Sequence, residues 1–228
     1  MIGIVVVSWG RAKLLRGTLE SLFANSHYKP NVCIIDNGSE QATLDVIETY
    51  RPHFGHVCLL AKNEGKPSAL NYGIEYFKKF PGINYFVLCD SDLHFKPDWD
   101  KKMLDTYKVF EALPPNVHKK KFGILSGFLF SNRGDRITEA GKQILTKSYP
   151  SGCCMMMSRQ ILEDNGNFKE KKDNGDEWLI KSIDTTYLSD MNHNGYYSGE
   201  VFPESAVDHT GVNDRTFNVQ SGDTTYIK

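Results

Sequence analysis

The chain has little of what marks the specialised protein classes. It has no excess of either charge, with 27 Lys+Arg against 28 Asp+Glu and a formal net charge of -1. There is thus no overall pull toward polyanions, and nucleic acid would need a local basic patch. The candidates, Lys119-Lys120-Lys121 and the run from Lys169 to Lys172, are short and read as solvated loops. The 5 cysteines are odd in number and show no CxxC spacing, which argues against a disulfide framework and a zinc cluster. Cys33, Cys58 and Cys89 each lie inside an apolar run, as reduced buried thiols do. The opening run, Ile2 to Val7, is too short for a membrane span or signal peptide and has no basic leader. The expectation is a soluble, cytoplasmic protein without integral membrane association. No GxGxxG follows the first apolar run, which weakens a dinucleotide dehydrogenase, and no GxxxxGK[ST] exists, which excludes a Walker-type loop.

What remains is a chain of ordinary composition, 228 residues long and 40% hydrophobic. A globular chain of this size buries about 70–75% of its unfolded surface, enough for one core without staples. Short apolar runs alternate with helical spacing through the first half, the pattern of strand-helix-strand units around a parallel sheet. Ile2–Val7, Val32–Ile35, Val57–Leu60 and Tyr85–Cys89 read as strands buried on both faces. Leu14, Leu15, Thr18, Leu19, Leu22 and Phe23 fall on one helical face, and Leu44 with Ile47 mark a shorter helix. Leu70, Ile74 and Phe77 mark a third helix with Pro67 in its first turn. Trp99, Met103, Tyr107 and Phe110 mark a fourth, with Asp98 as its N-cap.

The second half is less regular. It reads as a strand near Gly123 to Phe130, then a polar loop from Ser131 to Ser148 long enough to act as a lid over a ligand. An apolar stretch from Cys153 to Met157 follows, and a helix begins after Ser158 and ends at Asn165-Gly166. Leu179, Ile183, Tyr187 and Met191 define a last helix stopped by Asn194-Gly195, before a strand from Tyr196 to Phe202. No repeat or linker divides the chain. The expectation is one domain over 1–228, with a nucleotide half at 1–95 and an acceptor half at 96–228.

In open α/β sheets ligands bind beyond the carboxyl ends of strands. The polar residues there are Ser8 to Arg11, Asp36-Asn37-Gly38-Ser39, Lys62 to Lys66, and Asp90-Ser91-Asp92. Two carboxylates two residues apart at a strand end can both approach one hard divalent cation. Mg²⁺ or Mn²⁺ takes one or two carboxylates and fills the rest of its shell with water and substrate phosphate oxygens. The same aspartates can equally cap the turn before Phe95-Lys96-Pro97.

Taken in order, these segments resemble nucleotide-sugar glycosyltransferases of the family 2 type. Ile34-Ile35-Asp36-Asn37-Gly38-Ser39 is similar to that family's "DNGS" donor loop, and Asn63-Glu64-Gly65 with Ala69 to Ile74 to its "N-x-G…A-x-N-x-G-I" segment. Asp90-Ser91-Asp92 stands at the DxD position. Ser151 to Arg159 with Gly166-Asn167-Phe168 resembles the acceptor strand and the "G-x-F" after it. Asp184, eleven residues before Gly195, is spaced like the aspartate of the family's "ED" pair, and Phe202 to His209 resembles its closing "V-P-E-A-x-x-x-H".

The resemblance implies a GT-A fold, a Rossmann-like three-layer α/β/α architecture on a mostly parallel sheet. It implies transfer of one sugar from a nucleoside-diphosphate sugar, with a UDP-sugar favoured, to an acceptor hydroxyl. The transfer would be metal-dependent, inverting and non-processive, since there is no QxxRW segment. By the same resemblance Asp90, Asp92 and His209 hold Mn²⁺ or Mg²⁺, and Ser8, Arg11, Asp36, Asn63, Lys66, Asp90 and Ser91 contact the donor. Asp184 is the general base, with Asp176-Glu177 as rival because Ser182-Ile183 replaces the usual acid before it. Gly152, Glu177 and Trp178 face the acceptor, which is a glycan, a lipid-linked glycan or a hydroxylated DNA base. The competing readings are a sugar-phosphate nucleotidylyltransferase and an inactive nucleotide- or glycan-binding module.

Overall fold

The computed structural model describes residues 1–115, 119–169 and 183–211, with backbone alone at 183–185. The first half alternates as its periodicity predicts: β1 (Ile2–Ser8), α1 (Ala12–Asn25), β2 (Asn31–Asp36), α2 (Gln41–Tyr50), β3 (Phe54–Leu59), α3 (Lys66–Lys78) and β4 (Tyr85–Asp90). A three-residue strand, β5 (Leu93–Phe95), precedes α4 (Trp99–Glu111). Then come β6 (Lys121–Ser126), β7 (Arg136–Glu139), β8 (Lys142–Lys147), β9 (Cys154–Ser158), α5 (Arg159–Asn165), α6 (Ile183–His193), β10 (Tyr196–Phe202) and β11 (Val207–His209).

Nine strands form one sheet in the order β3-β2-β1-β4-β9-β6-β10-β8-β7, in which β9 and β8 run against the other seven. This is the mostly parallel central sheet expected. Alternate side chains of each strand enter opposite layers. Ile4, Val6, Val32, Ile34, Val87, Cys154 and Met156 pack with Leu15, Leu19 and Leu22 of α1 and with Trp99, Met103 and Tyr107 of α4. On the other face Val5, Val7, Cys33, Ile35, Phe86, Leu88, Met155 and Met157 pack with Leu70, Ile74 and Phe77 of α3, Ile161 of α5 and Leu188 of α6. Burial on both faces explains why the central strands read as unbroken apolar runs. α3 lies so close to β1 that a Cβ on Gly73 would sit 2.4 Å from Val5 Cγ1. All five cysteines are free; Cys58 on the edge strand β3 is half-buried and the other four are buried.

Several local expectations need correction. The Ser131–Ser148 segment is no open loop or lid: it holds the β7–β8 hairpin, which extends the sheet by pairing β8 with β10. Its two-residue turn, Ala140-Gly141, has φ of 46° and 74°, the all-positive geometry of a tight hairpin turn, made here without the Asn-Gly or Asp-Gly pair that signals one. The strand expected to reach Phe130 ends at Ser126, because the Gly127 carbonyl leaves the sheet to accept from the Ala206 and Val207 amides at 2.7 and 3.2 Å. Asp98 does precede α4, but with left-handed backbone and no capping bond; its carboxylate lies 3.0 Å from His27 Nδ1 instead. Ser158 precedes α5, also without a side-chain cap. Leu179 lies outside the described residues.

Candidate functional site

The register of β1 with β2 and β4 pairs Ser8 with Asp36 and Val7 with Asp90, so three strand ends finish at one level. The loops that leave them are tied together by side chains. Buried Asp36 accepts from Ser8 Oγ at 2.8 Å, Ser39 Oγ at 2.6 Å and the Ser39 amide at 2.9 Å. Ser39 Oγ in turn accepts from the Gly10 amide at 2.8 Å, which joins the β1 and β2 loops. Asn37 donates to Asn63 Oδ1 and accepts from the Glu64 amide, both at 2.8 Å, which joins the β2 and β3 loops. Asp36 and Asn63 thus act within this structure by shaping the rim. Ser91 is buried in the turn between β4 and β5.

The charged centre is built from separate parts of the chain. Asp90, Asp92 and His209 each offer a ligand atom, and these atoms all lie within 4.8 Å of one another. His209 comes from 117 residues away because β11 pairs with β5 and sets His209 opposite Leu93. β5 is itself strapped to α1: the Leu93 amide donates to Thr18 Oγ1 at 2.9 Å and the Phe95 amide to Ser21 Oγ at 3.1 Å. The Asp92 carbonyl accepts from Thr210 Oγ1 and the Thr210 amide, both at 2.8 Å. Next to them Gly211 packs closely, since a Cβ there would lie 1.9 Å from Asp92 Oδ2 and displace the carboxylate.

Among the described residues two cations reach this cluster. Arg11 Nη1 stands 2.5 Å from Asp92 Oδ2, and Lys66 Nζ 2.7 Å from Asp90 Oδ1. Lys66 also donates to the Gly152 carbonyl at 3.3 Å, bringing the expected acceptor loop against the expected donor loop. His209 Nε2 is 3.1 Å from Asp92 Oδ1. Burial pushes the Asp92 carboxyl up, but the His209 hydrogen bond and the charges of His209, Arg11 and Lys66 outweigh it and leave its pKa below the ordinary value. A pair of carboxylates with one imidazole fits a small divalent cation: the oxygens suit Mg²⁺ or Mn²⁺, and the imidazole favours Mn²⁺.

Of the residues expected at the site, Arg11, Lys66, Asp90, Asp92, His209 and Gly152 converge, and Ser8, Asp36, Asn63 and Ser91 line the loops around them. Glu177 and Trp178, with Asp176, lie outside the described residues. Asp184 stands at the second position of α6, where only the backbone is described. Sequence reasoning missed Glu200, a fully buried acid on β10. Its Oε1 accepts from the Ser151 amide at 3.2 Å, while Oε2 has no hydrogen-bond partner. Lys147 Nζ lies 3.5 Å away but donates instead to Ser131 O at 2.9 Å, Ser131 Oγ at 3.0 Å and Arg133 O. Burial raises the Glu200 pKa, and Lys147 and the Ser151 amide only partly offset it. A charged residue amid Ser198-Gly199 and Val201-Phe202, in an otherwise uncharged strand, was the one available signal.

The sequence profile of Glycosyl transferase family 2 matches residues 3–166, a span that holds Asp36, Asp90 and Asp92 but ends before Asp184 and His209. No curated protein matches the chain in sequence. Among solved structures it resembles S. aureus TarS 1-349 in complex with UDP-GlcNAc, at 15% identity and a TM-score of 0.65, over 92% of this chain and 60% of that one. It also resembles S. aureus TarS, at 16% identity and a TM-score of 0.63, over 90% of this chain and 35% of that one. A third likeness is to the mannosyltransferase PcManGT from Pyrobaculum calidifontis in complex with GDP-Man and Mn2+, at 16% identity and a TM-score of 0.62, over 90% of this chain and 55% of that one. The chain thus spans no more than about three fifths of these proteins' lengths, and at such identities the likeness establishes the GT-A type of fold.

Proposed function

The chain belongs to glycosyl transferase family 2, and from that premise we propose that it transfers a single sugar from a nucleoside-diphosphate sugar to an acceptor hydroxyl, with inversion and with a divalent cation at Asp90, Asp92 and His209. The observation that carries this reading is the meeting of those three side chains, from β4, the β4–β5 turn and β11, within 4.8 Å at the carboxyl end of the sheet. A bound Mn²⁺ or Mg²⁺ supplies positive charge against the diphosphate as it leaves. Arg11 and Lys66 add fixed cations on the same side, where phosphate oxygens bind guanidinium and ammonium well. The Ser8–Asp36–Ser39 network holds the rim on which the nucleoside rests. Asp184, the second residue of α6 in the acceptor half, takes the acceptor's proton as the new bond forms. Gly152 marks the acceptor side of the cleft, with Glu177 and Trp178 as its further contacts.

The donor class is supported by relatives of the fold that carry UDP-GlcNAc and GDP-Man, and Mn²⁺ by the second of these. A UDP-sugar is the first choice and a glycan the acceptor we favour; the near-zero net charge speaks against DNA. Five free cysteines fit a reducing, cytoplasmic compartment, and among the described residues no helix is long and apolar enough to cross a membrane. We take residues 1–95 as the donor half and 96–228 as the acceptor half of one domain.

The test uses the full chain with UDP-GlcNAc or GDP-mannose and Mn²⁺, reading slow donor hydrolysis and nucleotide-dependent rise in melting temperature. Asp92→Ala is expected to abolish both, and Asp184→Asn to keep the thermal shift while losing transfer to acceptor. Neither donor raising the melting temperature, or an Asp92→Ala variant as active as the parent, would overturn the reading. An active Asp184→Asn variant would pass the base to Asp176 or Glu177.

A further inference from the structure

The guanidinium of Arg11 sits where a cation should. Its Nη1 is 2.5 Å from Asp92 Oδ2, His209 holds the other oxygen at 3.1 Å, and Lys66 lies against Asp90. Both oxygens of the buried carboxylate are therefore engaged from within the protein. The main chain of Gly211 closes over the pair, since a Cβ there would come within 2.9 Å of Arg11 Nη1 as well as 1.9 Å of Asp92 Oδ2. Arg11 also holds left-handed backbone, φ 55° and ψ 46°, directly after Gly10 at φ 62°. Residues with a Cβ avoid that region, and one kept there at a ligand site has a side chain whose position the fold constrains.

We propose that Arg11 gates the cation site: its guanidinium occupies Asp92 until a diphosphate draws it away, so that the divalent ion enters together with the donor and not ahead of it. This rests on the donor and metal reading above. A guanidinium next to Asp92 repels a dication and competes for the same carboxylate. Phosphate oxygens match its fork at least as well as a carboxylate does, and carry more charge. The Arg11 side chain is 22% exposed, against 9% for Asp92, so the arginine stands nearer to solvent than its buried partner. One side chain thus has two stations, carboxylate and diphosphate, and a ligand that offers the second frees the first. The use would be to keep metal from lodging in the cleft without substrate.

The test reads metal binding and needs no turnover. Free Mn²⁺ is followed by electron paramagnetic resonance as Mn²⁺ alone is titrated into the full-length parent, Arg11→Gln and Arg11→Gly. Both variants are expected to bind Mn²⁺ about tenfold tighter than the parent or more, as removal of a competing charge predicts. Arg11→Gly relieves the left-handed backbone, and a cooperative thermal transition in each variant checks that the gain comes from a folded protein. Adding Asp92→Asn to Arg11→Gln should erase the gain. Unchanged or weaker Mn²⁺ binding in both variants overturns the gate. If the parent binds no Mn²⁺ with UDP or GDP beyond what the free nucleotide chelates, it is the metal and donor reading that fails. If the parent does bind it while the Arg11 variants match the parent with Mn²⁺ alone, only the gate fails.

Discussion

Gly38 lies in the β2 loop at φ 78°, and a Cβ on it would fall 2.5 Å from the Lys62 carbonyl carbon. The close approach lets Asn37 donate to Asn63 Oδ1 and accept from the Glu64 amide across the two loops, so its glycine is needed both for backbone and for space. Gly38→Ala is expected to destabilise by about 2 kcal/mol or more, by strain and by displacement of the β3 loop. Chemical denaturation and the nucleotide-dependent thermal shift check this; a variant matching the parent in both contradicts it. Glu200 gives a prediction in pH. Its folded pKa is raised, so the folded chain holds that proton more tightly than the unfolded one. Its contribution is full below the unfolded glutamate value and is lost as pH rises through the folded one. Glu200→Gln should therefore flatten the fall in stability above the ordinary glutamate range, seen in urea midpoints taken across pH. An equally steep fall in the variant counts against it.

At the scale of elements, the short β5–β11 ribbon decides the most. The strand ends of β1, β2 and β4 bring Ser8, Asp36 and Asp90 together, but without β11 paired to β5 nothing delivers His209 to Asp92. Thr18 shares a helical face with Leu15, Leu19 and Leu22, and its hydroxyl and that of Ser21 receive the Leu93 and Phe95 amides. The double substitution Thr18→Val with Ser21→Ala leaves two buried amides without partners, each worth about 1–3 kcal/mol. It is expected to lower stability by that order and to weaken Mn²⁺ binding in the presence of nucleotide. Unchanged urea midpoint and unchanged Mn²⁺ affinity would separate the ribbon from the site. These strands of three residues are invisible to a periodicity argument, which needs several alternations to register. The β7–β8 hairpin escaped notice for a related reason, its turn being Ala-Gly and its strands mixing charged and apolar residues on an edge.

At the scale of the molecule, the sheet does not divide where composition changes near residue 95. β4, the last strand that residues 1–95 give to the nine-stranded sheet, pairs with β9 from residues 154–158, and Cys154 and Met156 share a core with Ile4, Val6 and Val87. A fragment of residues 1–95 would expose the free edge of β4 and lose α4 from one layer. It is expected to show no cooperative unfolding transition by circular dichroism, whereas the full chain shows one. A fragment that melts cooperatively would make the two halves separate folding units.

Apolar runs, helical spacing and the polar residues that follow each strand were enough to read the α/β class, the first four strands, their helices and the acids of the β4 turn, because period and burial are local properties of a chain. The order of the nine strands, the seat of His209 beside Asp92 and the grip of Arg11 on that same carboxylate depend on tertiary contacts, the last two between residues 117 and 81 positions apart. No local pattern encodes such pairs. They follow from which strand edges remain to be paired and which buried amides must find an oxygen once the layers close.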